Sequence, residues 1–161
     1  MYRWLVALIA ALFADAAVAE LNVDFTAGNR DETDLEDVLP ALGIAVDFGQ
    51  DRWPIRPEFG FTVGFDPLYG GSETELSLGG IRYWEAGASR VHFGVGFSDV
   101  SKDWGANVGS STGVYVHSGA TWPLDKRRLG FDVRYLNADD FMAWGAPFPV
   151  GYVQVALLFV W

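Results

Sequence analysis

Two histidines, His92 and His117, and one aspartate, Asp132, are the residues of this 161-residue chain whose types could do chemistry together. Each sits in a run of alternating polar and apolar residues, where every second side chain shares a face. If the runs around 92 and 117 form a hairpin symmetric about the segment between them, position 92 lies opposite 117, and Asp132 and Arg134 follow one strand further on. Two imidazoles and a carboxylate on one face could bind a metal ion or move protons. They could equally form an ordinary hydrogen-bonded network in a packed interior, with the carboxylate already held by an arginine, and the sequence favours that reading. No catalytic residue is therefore assigned; His92, His117 and Asp132 stand as candidates. The neighbours His117 and Ser118 make no hydrolase dyad, because adjacent strand residues point to opposite faces.

The segment 31–37 concentrates carboxylates at Asp31, Glu32, Asp34, Glu36 and Asp37. Acids so spaced could gather Ca²⁺ or Mg²⁺, and such ions bridge phosphates in lipopolysaccharide. No complete calcium-loop pattern is present, so Asp31, Asp34 and Asp37 are read as a solvated acidic loop and no metal or other cofactor is assigned. With no cysteine, disulfides, thiol catalysis and cysteine zinc sites are excluded. The formal charge of −10 argues against nucleic acid, whose phosphates would be repelled.

The elements that must position these groups are strands. Eight alternating runs are expected, at about 21–29, 41–49, 57–66, 73–84, 90–98, 110–122, 128–137 and 150–161. Short connections alternate with longer ones rich in Asp, Gly and Pro, as in bacterial outer-membrane barrels, where tight turns are periplasmic and long loops lie outside. One face of each run is apolar, as in Phe59, Phe61, Val63 and Phe65. The other carries small or pairable residues, and only Lys102 and Lys126 represent lysine, both in connections. A wet exterior would carry Lys and Glu freely, so the polar face is read as a lumen.

Asp24, Asp47, Glu58, Arg82, Arg90, Asp132 and Arg134 are assigned to that lumen as a mutually neutralising charge network. Strict alternation would send Arg82 to lipid, at a cost of about 2–4 kcal/mol at mid-membrane and less near the interface. A β-bulge at Gly79-Gly80, which would place Arg82 inward and Tyr83 outward, is favoured over snorkelling of Arg82 to the periplasmic headgroups. Trp53, Tyr83, Trp122 and Trp161 are assigned to the inner membrane interface, and Phe65, Phe97, Phe141 and Trp144 to the outer one. The luminal glycines are read mainly as room for Tyr115 and Tyr152. Segments 29–41, 66–75, 98–111 and 137–149 are assigned to the outer rim and carry the whole acidic excess. Residues 1–19, with a basic start, a short apolar run and Ala17-Val18-Ala19, are expected to be a cleaved helical signal peptide, leaving a single domain over 20–161.

The tight turn and strand over 127–136, followed by a last strand ending in an aromatic, resemble the small eight-stranded barrels related to OmpA and OmpX. The likeness covers essentially all of 20–161. It implies an all-β, eight-stranded antiparallel up-and-down barrel in the outer membrane of a Gram-negative bacterium. It also implies insertion by the outer-membrane assembly machinery, which reads the final strand. Ala156, Phe159 and Trp161 fill the places of that signal, with Ala where Gly is usual. Arg134-Tyr-Leu-Asn-Ala138 is also similar to the His-aromatic-Ser-Asn-Ala context of the lipid A deacylase barrels. Arg134 stands in place of the base and Leu136 in place of the nucleophile, so that activity does not carry over.

These readings lead to a small non-catalytic outer-membrane barrel with a structural or surface-interaction role, contacting membrane lipid, lipopolysaccharide or a protein partner through acidic outer loops. A barrel enzyme modifying lipid A or another envelope lipid is the alternative. A soluble secreted carrier barrel is the second alternative.

Overall fold

The computed structural model describes residues 20–32, 38–50, 53–66, 70–104, 107–138 and 151–161. The expected signal segment 1–19, Asp34, Asp37, Phe141 and Trp144 lie outside the described residues.

The alternating runs form eight strands: β1 (Glu20–Glu32), β2 (Val38–Gly49), β3 (Arg56–Phe65), β4 (Ser72–Ala86), β5 (Ser89–Trp104), β6 (Asn107–Leu124), β7 (Arg127–Asn137) and β8 (Gly151–Val160). Each pairs antiparallel with the next and β8 pairs with β1, so the sheet closes into a barrel. An even strand count returns the chain to its starting rim, where Val23 and Trp161 exchange backbone hydrogen bonds of 3.3 and 2.9 Å. Two-residue turns join strands at that rim. Gly87 adopts φ +67° in the first, as a hairpin turn with glycine leading requires, and Asp125 adopts φ +56° in the second.

The exterior is apolar and the interior polar. Phe61, Leu76, Leu78, Phe93, Val95, Phe131, Val155 and Leu157 are all exposed, whereas Arg30, Asp47, Glu58, Glu73, Glu75, His92 and Asp132 are buried. Continuous apolar surface of this extent is not sustainable in water, and it suits hydrocarbon, where a closed barrel leaves no backbone group unpaired. The arrangement is the reverse of a soluble carrier barrel, which removes that alternative.

Three details differ from the sequence expectation. No bulge occurs in β4: its ladder to β3 and β5 runs without interruption through Gly79 and Gly80. Ile81 and Tyr83 therefore face inward, and Arg82 lies outside with its guanidinium 5.3 Å from the Trp84 ring centroid. Only about one turn's distance from the rim, Arg82 can reach headgroups by extending along Trp84, so the penalty that motivated the bulge is largely avoided.

The inner aromatic girdle is also rearranged. Trp122 and Trp161 are exposed, joined by Trp84, while Tyr83 points into the lumen and Trp53 lines the barrel mouth beside Arg56. Arg127 stacks 3.6 Å over Trp161. Finally, β5 and β6 continue through most of the expected loop 99–109, leaving 105–106 between them. Outward Asp99, Ser101 and Asp103 carry no hydrophobic alternation, because this part of the hairpin stands beyond the apolar band, where the backbone ladder persists but lipid no longer dictates the side chains.

Lipid-face and rim positions should therefore respond differently to charge. Leu157→Arg is expected to lose about 2–4 kcal/mol of stability, measured by urea unfolding in lipid vesicles. Arg82→Leu should change stability by less than about 1 kcal/mol, as a surface-exposed group does.

Candidate functional site

The strand parity gathers the luminal charges into three layers. Nearest the loop rim, Glu75 on β4 is a hub. It forms ion pairs with Arg30 on β1 at 2.7 Å and Arg134 on β7 at 2.6 Å. It also accepts hydrogen bonds from Ser98 at 2.6 Å and from Tyr152. Arg30 also pairs with Glu73, which Lys102 approaches at 3.3 Å, and donates to Gln154. Arg30 lies 3.7 Å from the Tyr152 ring centroid and Arg134 lies 3.7 Å from that of Tyr115. Between these groups Val100, Tyr115, Leu136, Ala138 and Tyr152 form a buried apolar cluster that fills the outer half of the lumen.

Arg30, Glu73 and Glu75 are the principal groups that sequence reasoning missed as luminal, because they were counted with the outer rim. Alternation held the signal: Glu73 and Glu75 share the parity of Ser77, and Arg30 that of Asp24.

Nearest the tight-turn rim, Asp47 on β2 is held by Arg56 at 2.6 Å, by the Tyr83 hydroxyl at 2.7 Å and by Asn22 at 3.2 Å. Arg90 stands on the inward face at this mouth and pairs with Glu85 at 2.6 Å. Together with Trp53, Arg56, Arg82 and Tyr83 these residues line a recess of about 230 Å³.

Between the two layers lies the His/His/Asp cluster. The hairpin register places His92 opposite Gly119, and His117 opposite Gly94, two residues away from the expected pairing. Asp132 also lies opposite Gly119, on the other side. With no side chain at Gly119, His92 reaches across it, and Nε2 approaches Asp132 Oδ1 at 2.7 Å; a Cβ at 119 would come within 2.7 Å of His92 Cε1. His117 Nδ1 lies 3.0 Å from the same oxygen, in space that a Cβ on Gly94 would occupy. The two rings are 5.4 Å apart between centroids.

On the far side of His117, Nε2 lies 3.3 Å from Glu58 Oε2, and Tyr115 donates to Glu58 Oε1 at 3.1 Å. Asp24 faces the same space from β1, buried, with Oδ1 lacking a hydrogen-bond partner. These groups surround a cavity of about 40 Å³, enough for a very few waters.

Asp24, Glu58, His92, His117 and Asp132 are thus brought together, while Arg134 is drawn to Glu75 and Asp47 to the mouth. Arg82 is not luminal. Asp31 stands exposed at the end of β1 near the loop rim. Ser118 is on the exterior, bonded to the His92 carbonyl at 3.0 Å, and supplies no nucleophile to the cluster. Leu136, in the position compared with a deacylase serine, is buried in the apolar cluster. The glycines Gly79 and Gly96 face Tyr115, and a Cβ on Gly96 would meet its Cε1 at 2.7 Å.

No family model matches the chain, and no curated protein matches its sequence. Solved structures match over most of its length. Neisserial surface protein A (NspA) is similar at 12% identity with a TM-score of 0.67, covering 88% of this chain and 97% of that one. The outer membrane enzyme PagL is similar at 12% identity and TM-score 0.53, over 86% and 97% of the two chains. Ail, the attachment invasion locus protein of Yersinia pestis, is similar at 8% identity and TM-score 0.52, over 89% and 97%. The fold is that of the small eight-stranded outer-membrane barrels.

The Glu75 hub should dominate the stability of the outer half. Glu75→Gln keeps the shape but leaves Arg30 and Arg134 short of their shared anion, and a loss of about 3–5 kcal/mol is expected. The exposed Thr112–Asp99 contact at 3.4 Å should matter far less, and Thr112→Val should fall within about 0.5 kcal/mol. Urea unfolding of the two variants in vesicles checks both.

Proposed function

We propose that the protein is a closed, non-catalytic outer-membrane barrel that works through its acidic outer rim, contacting lipopolysaccharide or a partner at the cell surface. The observation that carries this reading is the filled lumen. The Glu75 hub and the Tyr115, Leu136 and Tyr152 cluster close the outer half, and the cavity beneath them holds only about 40 Å³. Neither a diffusing solute nor a lipid headgroup has room to reach the histidines, whose side chains are 2% and 8% exposed. A lipid-modifying enzyme needs its base and nucleophile at a surface its substrate touches; here the imidazoles point inward, and the adjacent hydroxyl of Ser118 points to lipid alone. The comparisons leave the role open, since similar barrels include a surface protein, an attachment protein and an enzyme, and fold does not transfer function.

Divalent cations would link the rim to lipopolysaccharide, because carboxylates and phosphates repel until an ion bridges them. The barrel in planar bilayers is expected to show no stable conductance, and its expression should leave the lipid A mass profile unchanged. Mg²⁺ should increase retention of lipopolysaccharide on the purified barrel, and Asp31→Asn combined with Asp34→Asn and Asp37→Asn should reduce it. A steady channel, a new lipid A species, or retention insensitive to both Mg²⁺ and the triple variant would overturn the reading.

A further inference from the structure

We propose that the middle layer of the lumen is a zinc site, with His92 Nε2, His117 Nδ1 and Asp132 Oδ1 as its three protein ligands. This site is independent of the surface role, since it lies sealed below the Glu75 hub.

The first ground is charge. Asp24, Glu58 and Asp132 surround the small cavity with two imidazoles, and the one guanidinium lining it, that of Arg134, is bound to Glu75 and Ser98. Three buried carboxylates against neutral imidazoles leave a local excess of negative charge. A divalent cation, or a proton taken up by an imidazole or a carboxyl group, must offset it.

The second ground is donor geometry. The three ligand atoms lie within 4.8 Å of one another, and all three residues are buried. Zinc bonds of about 2.0–2.1 Å in a tetrahedral site set donors about 3.3 Å apart. The present 2.7 and 3.0 Å contacts to Asp132 would need to open by only roughly half an ångström to admit the ion. Nitrogen donors paired with carboxylate favour zinc over magnesium or calcium, which take oxygen ligands.

The third ground is what stands behind the ligands. A metal-bound imidazole usually donates its other N–H to a carboxylate, which fixes the ring and strengthens it as a ligand. His117 bound through Nδ1 would turn Nε2–H toward Glu58 Oε2, which lies 3.3 Å away without an aligned hydrogen bond as the structure stands, and Glu58 is in turn oriented by the Tyr115 hydroxyl. Asp24 Oδ1, buried and without a hydrogen-bond partner, faces the cavity from the opposite wall. Its carboxylate lines the same cavity outside the three-ligand cluster and would face the ion as a charge without binding it. Gly94 and Gly119 clear the space that lets both rings converge on Asp132.

The test is to fold the barrel in detergent with zinc sulfate, remove loosely held metal, and measure zinc by mass spectrometry. One zinc per chain is expected to remain, and cobalt in its place should give the intense visible bands of a four-coordinate ion. His92→Ala and His117→Ala should abolish retention. Glu58→Gln should weaken zinc affinity by about ten- to a hundredfold, as loss of a carboxylate behind a ligand does. Heat-modifiable migration verifies that each variant is folded, and the near-isosteric Asp132→Asn, expected to lower affinity while leaving migration unchanged, decides the matter if a histidine variant does not fold. No retained zinc in the wild type, a six-coordinate cobalt spectrum, or retention unaltered by the folded variants would overturn the proposal and leave protons on the imidazoles or carboxyls as the neutralising charge.

Discussion

A backbone surrounded by hydrocarbon must satisfy every N–H and C=O from its own chain, and an antiparallel sheet does so only when its last strand returns to its first. Here β8 pairs with β1 from Asp24–Val160 to Glu32–Tyr152. Closure at eight strands then fixes the lumen at a width that side chains fill. From those two facts the division of the sequence follows: one residue in two meets lipid, and the other meets its counterparts across a narrow, largely dry interior. Large luminal residues are admissible only where the neighbouring strands are bare, which is why Tyr115 lies over Gly96 and Gly79 and His117 over Gly94. Charges are admissible only where a counter-charge is within reach: Arg30–Glu75 and Arg134–Glu75 join non-neighbouring strands across the lumen, and Arg56–Asp47 joins the adjacent β3 and β2 at the mouth.

These cross-lumen pairs give the barrel rigidity that the ladder alone does not supply. A hydrogen-bonded ring can still flatten, whereas Glu75 on β4 bound to β1 and β7 at once ties opposite walls together. Burial makes the ties costly to break more than it makes them favourable to form, so they act chiefly against alternative registers: sliding one strand by a single residue would put a charge into lipid.

Much of this was legible in the sequence, because period-two alternation is imposed by lipid on one side and lumen on the other. Strand number, order and facing could be read for β1 to β8, as could the inward placement of Asp24, Asp47, Glu58, His92, His117, Asp132 and Arg134. The reading failed where that imposition ends. Beyond the apolar band, Asp99 to Asp103 look like loop although the ladder continues, and Glu73 and Glu75 look like rim although they turn inward. It failed again at Arg82, where a bulge was favoured over snorkelling; close to the rim, with Trp84 beside it, that charge extends to water and needs no bulge. Moving the phase at Gly79-Gly80 also carried Tyr83 to the wrong side, away from Asp47, so one local energy misjudged reversed the role of its neighbour.

The middle layer shows a limit of a different kind. The residue types and parity of His92, His117 and Asp132 identify a shared face, but the hairpin register decides which atoms meet, and its centre at 105–106 offsets it by two residues from the expected pairing of 92 with 117. That offset sets each imidazole over a glycine and lets both reach one carboxylate oxygen. With the expected register the rings would stand side by side, and Asp132 would lie opposite Gly119 with no imidazole crossing it. The chemistry available to the lumen therefore depends on two glycines that contribute no side chain to it, and on the register of the β5–β6 ladder, which sets each of them under an imidazole.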